Sequence, residues 1–331
     1  MKEIRYISCV CLLVAGLASC GGSGTVSGQS SGQESLRLVS WNVQTFFDAE
    51  TDGSEYKDFV SDKHWGEPAY RDRLKRLCSS LASLDADVLV LEEVENEAVL
   101  QDISNFLCSD WLPGKRYRQA AFGKEAGGSL GCAVLSRYPL EKLSCHSLDS
   151  RSVSGNAPLG KSPPLRPLMQ VSVVKNGRSF VLLVNHWKSM SGGAVETEAW
   201  RMAQEAQLAD CLENLGDAPA LACGDFNRDV QDFAGGDDGI VVLRSGEKGI
   251  PVRSPWFSGD GKLVGPGSYY YKEEWSRIDG FFCSGRLELE DFAPETGGPW
   301  CQEDTKIPQK YKVWNGWGYS DHIPISCTIL F

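Results

Sequence analysis

Seven polar side chains sit where apolar runs of this sequence stop or start: Asn42, Glu93, His186, Asp225, Asp279, Asp321 and His322. The densest cluster is "LACGDFNRD", residues 221–229. Leu221, Ala222 and Cys223 read as the end of a buried strand, Gly224 as the opening of a turn, and Asp225, Asn227, Arg228 and Asp229 follow. Taken singly, each of the seven reads as a cap or a solvated turn residue, because chains leave the core at strand ends. Together they are carboxylates, an amide and two of the chain's four histidines. Those types hold hard divalent cations and move protons. If the strands gather in one pair of sheets, these ends converge on one rim, with Asp225 and Asn227 on one turn.

The elements needed to position them are legible. "LRLVSWN" (36–42), "DVLVLEE" (87–93), "GCAVLSR" (131–137), "LMQVSVV" (168–174), "FVLLVNH" (180–186), "PALACGD" (219–225), "RIDGFFC" (277–283) and "HIPISCTIL" (322–330) read as strands. A helix starts near Pro68, with Tyr70, Leu74, Leu77, Leu81 and Leu84 on one face. A second carries Val99, Ile103, Phe106 and Leu107, and a third runs from Ala199 to Leu215 with Gly216 as its stop. With no internal repeat or composition break, this alternation predicts one α/β domain of packed sheets with helices outside. The stretches 138–167 and 229–276 are Gly/Pro/Ser-rich and read as long connections.

The 331 residues are 42% hydrophobic, enough for a sizeable core, and carry a formal net charge of −11. That charge argues against a protein that holds nucleic acid on a basic surface, though not against an enzyme that meets phosphate through a bound cation. Lys2 and Arg5 precede an apolar run, Ile7 to Ser19, too short to span a bilayer. It ends in "LASC", which resembles the bacterial lipoprotein box, so residues 1–19 are expected to be a signal peptide outside the fold and Cys20 to be lipidated. Cleavage removes two basic and one acidic side chain and leaves −12. Residues 20–35 then form the anchor and a Gly/Ser-rich tether, whose fifteen linker residues reach about 20 Å. The expected location is the cell envelope, facing periplasm or exterior. Nine cysteines follow Cys20, an odd number, so at least one is unpaired without a partner chain; Cys132, Cys223, Cys283 and Cys327 read as buried hydrophobes.

"SWNVQ", "VLVLEEVEN", "VNHWKS", "GDFNRD", "RIDGFF" and "YSDHIPI", in that order, resemble the endonuclease/exonuclease/phosphatase superfamily from about Leu36 to Phe331. That group includes pancreatic deoxyribonuclease, abasic-site endonucleases, bacterial sphingomyelinases and inositol-polyphosphate phosphatases. The resemblance implies a four-layer α/β sandwich, two mixed β-sheets flanked by helices, over 36–331. It implies Mg²⁺, or Mn²⁺, held by Glu93 with Asn42 beside it and Asp321 next to the ion. It makes Asp225 the base for the attacking water and Asn227 the amide that holds that water or the phosphate. His322 then contacts the scissile phosphate, oriented by Asp279, and His186 serves as proton donor to the leaving oxygen. Arg166, in "PLRPL", offers a guanidinium fork to phosphoryl oxygens.

Two positions depart from the family pattern: Gln44 stands where some members have an acid, and Glu92 where glutamine is frequent, leaving open which acid of the pair points inward. Glu92, Arg228 and Asp229 read as solvated. The implied activity is metal-dependent phosphodiester hydrolysis by a membrane-anchored monomer, with DNA or RNA as substrate. "LLVNHWKS" resembles the secreted bacterial nucleases of the family, and its Lys188 adds a cation beside His186. Tyr269, Tyr271 and Trp314 either stack on bases or pack the loops. Association is expected to be weak and sequence-independent. Cleavage of lipid head groups or inositol phosphates, or a binding protein without chemistry, are the alternatives.

Overall fold

A computed structural model describes residues 5–8, 33–108, 117–148, 153, 165–235 and 239–331, so Cys20 and nearly all of the tether lie outside the described residues. The first half contains β1 (Arg5–Ser8), β2 (Ser35–Phe46), α1 (Lys57–Ser61), α2 (Glu67–Leu84), β3 (Val88–Val94), α3 (Glu97–Phe106), β4 (Gln119–Gly123), β5 (Gly131–Ser136) and β6 (Leu140–His146). Next come β7 (Leu168–Lys175), β8 (Arg178–His186), α4 (Ala194–Leu215), β9 (Ala220–Asp225), β10 (Ala234–Gly235), β11 (Ile240–Ser245) and β12 (Lys248–Arg253). A small hairpin, β13 (Tyr269–Tyr271) and β14 (Glu274–Ser276), precedes β15 (Asp279–Ser284), β16 (Glu288–Pro294) and β17 (Ile325–Leu330). All eight strands and all three helices expected from the sequence are present.

Two mixed sheets form, ordered β1-β4-β5-β3-β2-β17-β16 and β10-β11-β12-β15-β9-β8-β7-β6. Period-two alternation decides what each face does. On β2, Leu36 and Leu38 enter the core between the sheets, packing with Leu182, Cys223 and Phe281 of the second sheet. Val39, Trp41 and Val43 point the other way, onto Tyr70, Leu74, Leu77 and Leu81 of α2 and Val99 and Ile103 of α3. The far face of the second sheet is covered by α4, which packs on β9, β11 and β12. The result is the four-layer sandwich. Cys132, Cys223, Cys283 and Cys327 are buried in its core.

The helix signals act as read. Pro68 sits in the first turn of α2, and Gly216 (φ +57°) ends α4 by donating its N–H to Leu212 and Glu213. Among the described residues no helix is long and apolar enough to cross a membrane.

Residues Arg5–Ser8 form β1, which pairs in parallel with the open edge of β4. The structure corrects two expectations. The two long connections are not structureless: β6 lies in the first, and β10 to β14 lie in the second as short strands and hairpins. Gly224 does not open a turn. β9 continues through it to Asp225, and its backbone (φ +123°) passes so close to β8 that a Cβ there would stand 2.0 Å from the Asn185 carbonyl oxygen.

Candidate active site

Strand direction brings the polar ends together. β2 runs parallel to β3, with Asn42 opposite Glu92, and β8 runs parallel to β9, with His186 opposite Asp225. β15 is antiparallel to β9, and its first residue, Asp279, faces Asp225. β17 is antiparallel to β2, so His322, three residues before it, reaches the same end. C-terminal ends of parallel strands and N-terminal ends of antiparallel ones therefore share one rim.

Asp225 is the hub. Its Oδ1 accepts the Asn227 N–H at 2.8 Å, and its Oδ2 accepts Nδ2 of Asn42 and of Asn227, each at 3.1 Å. Asn227 (φ +47°) adopts the left-handed conformation that asparagine tolerates, and its Nδ2 also donates to the Trp187 carbonyl at 3.1 Å. Nε2 of His186 and of His322 lie 3.7 and 3.9 Å from Asp225 Oδ2. Burial pushes the Asp225 carboxyl up to about 7; the charged His322 and the Asn227 N–H oppose this, while the Asp279 and Glu93 charges add to it.

The histidines are set apart by their neighbours. His322 Nδ1 meets Asp279 Oδ2 at 2.8 Å. Burial alone would lower its pKa, but the charge and hydrogen bond of Asp279 and the charge of Asp225 outweigh burial and raise it well above the usual value. His322 is the cation of the site. For His186, burial lowers the pKa, and the positive charges of Arg166, His322 and Lys188 lower it further, so its ring is neutral, with Nδ1 unpartnered.

Both acids of "EE" point inward, by different means. Glu92 follows Val88 and Val90 on the face between the sheets, where its Oε1 accepts from Ser40 Oγ at 2.8 Å and its Oε2 has no partner. Glu93 belongs by alternation to the outer face. An irregularity at this position and a left-handed backbone (φ +65°) turn it to the rim. There its Oε2 accepts the Thr45 N–H at 2.5 Å, while its Oε1 lies 3.4 Å from Asn42 Nδ2 and 3.7 Å from His186 Nε2.

The expectation that Glu92 and Arg228 are solvated is therefore wrong. Glu92 is fully buried, and burial followed by the Asp279 charge raises its pKa well above the carboxylate range. Arg228 is buried because it forms ion pairs with Glu198 and Glu205 of α4. Asp229 is half-buried and caps the Gln231 and Arg277 N–H groups.

Arg166 and Lys188 join Glu93 in lining one cavity of about 350 Å³, together with Tyr56, Ser129 and Ser191. Asp321 stands apart, with Oδ2 accepting from Lys310 Nζ at 3.1 Å; among the described residues no hydrogen bond or ion pair joins it to Glu93, Asn42 or Asp225. Tyr269 packs its ring 4.8 Å from that of His322, whereas Tyr271 and Trp314 are 59% and 62% exposed. Two serines went unmarked by sequence reasoning. Ser320 Oγ donates to the Asn42 carbonyl at 2.6 Å and accepts the His322 N–H at 3.0 Å, and Ser268 Oγ accepts the Asp279 N–H at 3.1 Å. No composition signal distinguishes such hydroxyls; only their positions next to "DH" and before "RIDG" do.

The donor set fits a hard divalent cation. Glu92, Glu93, Asp225 and Asp279 bring four carboxyl groups to this end against two imidazoles, and Glu93 Oε1 has only two long contacts, 3.4 Å from Asn42 Nδ2 and 3.7 Å from His186 Nε2. A divalent ion offsets that excess of buried acid.

Residues 39–322 match the Endonuclease/Exonuclease/phosphatase family, and the chain belongs to it. Its members are metal-dependent phosphoesterases. Solved structures share the fold. Truncated Caenorhabditis elegans TDP2 superposes with a TM-score of 0.58 at 16% identity, over 90% of this chain and 98% of that one. The human Nocturnin catalytic domain with bound sulfate gives 0.53 at 18%, covering 90% and 97%. Danio rerio TDP2 complexed with single-strand DNA product gives 0.51 at 19%, covering 89% and 98%. A search of curated protein sequences gives no significant match.

Proposed function

We propose that this chain is a divalent-metal-dependent phosphodiester hydrolase, a nuclease acting on DNA or RNA, anchored through Cys20 in a bacterial envelope and facing periplasm or exterior. One observation carries the reading: Asp225, held at about 7 and gripped by two amides, lies between a protonated and a neutral histidine beside Glu93. A base of that pKa takes a proton from water at neutral pH. Asn227 and Asn42 fix which carboxylate oxygen faces the substrate. His322, kept cationic by Asp279, stabilises charge building on the phosphoryl oxygens. His186 is neutral in the free protein; a bound phosphate favours its protonation, after which it can release the proton to the leaving oxygen. Arg166 and Lys188 bind phosphate in the shared cavity. Glu93 and Asn42 would hold Mg²⁺ or Mn²⁺, and when bound the ion would polarise the phosphoryl group.

A polymer substrate is favoured by a second cavity of about 630 Å³, next to the site, which Lys310, Lys312 and the exposed Trp314 line. The DNA product held by Danio rerio TDP2 agrees with this choice. Lipid head groups are the second reading, because exposed Trp314 and Trp317 also suit a bilayer surface. The test is a panel of plasmid, linear DNA, RNA, sphingomyelin and phosphoinositides with Mg²⁺ or Mn²⁺. Nucleic acid should be cut, and cutting should vanish with chelator and in Glu93→Ala while the fold persists. Activity indifferent to chelator would overturn the mechanism, and cleavage of a lipid alone would overturn the substrate.

A further inference from the structure

Beyond the rim, the loop after β2 reads "DAETDGSE", residues 48–55, with acids at positions one, three and five and glycine at six. That opening has the form of a calcium-binding loop, in which alternate side chains point inward and the glycine allows a sharp turn. Gly53 does take a positive φ of +92°. The twelfth position, where such a loop carries a bidentate glutamate, is Phe59, so the loop alone is incomplete.

Glu95 supplies the missing carboxylate from another element. It follows β3, and one oxygen each of Asp52, Glu55 and Glu95 lie within 4.8 Å of one another. Asp48 is beside them, its N–H donating to Glu95 Oε2 at 2.6 Å and its Oδ2 accepting from Asn96 Nδ2 at 2.9 Å. The independent sign of a ligand is Glu95 itself: the residue has no exposed surface, yet its Oε1 has no hydrogen-bond partner. A buried carboxylate with an unpartnered oxygen, grouped with two other acids, is costly unless a cation meets it.

We propose that Asp52, Glu55 and Glu95, with Asp48, form a calcium site that ties the β2–α1 loop to the end of β3. Ca²⁺–oxygen distances of about 2.3–2.6 Å place opposing ligands about 5 Å apart, in keeping with the spread of these oxygens, whereas Mg²⁺ draws them closer and keeps its waters. The site is separate from the catalytic cation and independent of the substrate assigned above. Its effect is positional, because Tyr56, next to Glu55, lines the cavity shared by Glu93, Arg166 and Lys188.

Trp65 gives the site its own reporter, since its Nε1 donates to the Asp48 carbonyl at 3.1 Å, placing an indole next to the ion. The experiment uses the full chain in a Glu93→Gln background, which silences the catalytic ligand, with Ca²⁺ and Tb³⁺ as probes. Ca²⁺ should raise Tm by a few degrees with a Kd of about 10⁻⁴ M, and Tb³⁺ should show indole-sensitised emission that Ca²⁺ displaces. Asp52→Asn with Glu55→Gln, which keeps the acceptors for the loop N–H groups, should abolish both. Glu95→Gln should retain the fold in chelator but lose the Ca²⁺ increment, a response that a carboxylate serving only to cap backbone groups would not give. No saturable Tm rise up to about 10 mM Ca²⁺, or a rise unchanged in the Asp52→Asn/Glu55→Gln chain, would overturn the site.

Discussion

Asp225 makes more of the rim's contacts than any other side chain, and its neighbours separate two tasks that one carboxylate performs. The Asn227 and Asn42 amides orient it, whereas burial sets its proton affinity. Asp225→Asn keeps the shape and removes the proton acceptor. We expect kcat to fall about 10²–10⁴-fold, the range a general base contributes, with Mg²⁺ or Mn²⁺ affinity little changed. Single-turnover kinetics alongside metal titration separate the two quantities, and a loss below tenfold would remove Asp225 from the role. At this scale the sequence was informative where residue type is itself the signal. Six of the seven strand-end residues meet within hydrogen-bond or ion-pair distance, and only Asp321 turns aside to Lys310. The orienting hydroxyls of Ser268 and Ser320 were not legible, because serine is common in every loop and only three-dimensional proximity singles them out.

The strands account for both the legible and the illegible parts of the site. Alternation along β2 and β3 carries Ser40, Asn42 and Glu92 onto the same inward face as Leu36, Leu38, Val88 and Val90, so that period-two pairing explains the burial of Glu92 that the sequence reading missed. The left-handed turn at Glu93 was not readable, because its backbone conformation comes from the irregular pairing around it. Short hairpins such as β11–β12 were missed for a related reason: "IVVLRSGEKGIPVR" has apolar residues at its start but polar ones on an exposed edge. Glu92 lets the element-scale reading be tested. Its folded-state pKa is raised, so its favourable contribution is complete below the unfolded carboxyl pKa and is lost as pH rises above it. Glu92→Gln keeps the acceptor for Ser40 and removes the acid. Measured in chelator, it should leave stability unchanged near pH 4 and raise it by about 1–2 kcal/mol at pH 8. A destabilised Glu92→Gln chain at pH 8 would mean that Glu92 is needed as a carboxylate.

At the scale of the whole molecule, the proposed function has an acidic protein approach a polyanion. The proposed lipid anchor would hold the domain at a surface, so that weak binding would suffice; Cys20→Ser should move the protein from the membrane to the soluble fraction, and retention would contradict the anchor. The charge distribution makes the sharper prediction. With a net charge of −11 overall, the cations facing the two cavities are Arg166 and Lys188 in one and Lys310 and Lys312 in the other, and Lys310 is already paired with Asp321. Each single-strand phosphate neutralised contributes about −0.7 to the slope of log K against log salt, so three or four contacts give a slope between about −2 and −3. A basic-surface binder would give a far steeper one. Lys188→Ala should make the slope shallower by about 0.7 and weaken binding equally across sequences, since a phosphate contact carries no base information. Fluorescence anisotropy of a labelled oligonucleotide from low to physiological salt, with chelator to prevent cleavage, measures both. A slope steeper than about −5, or one untouched by Lys188→Ala, would place the binding surface outside these two cavities.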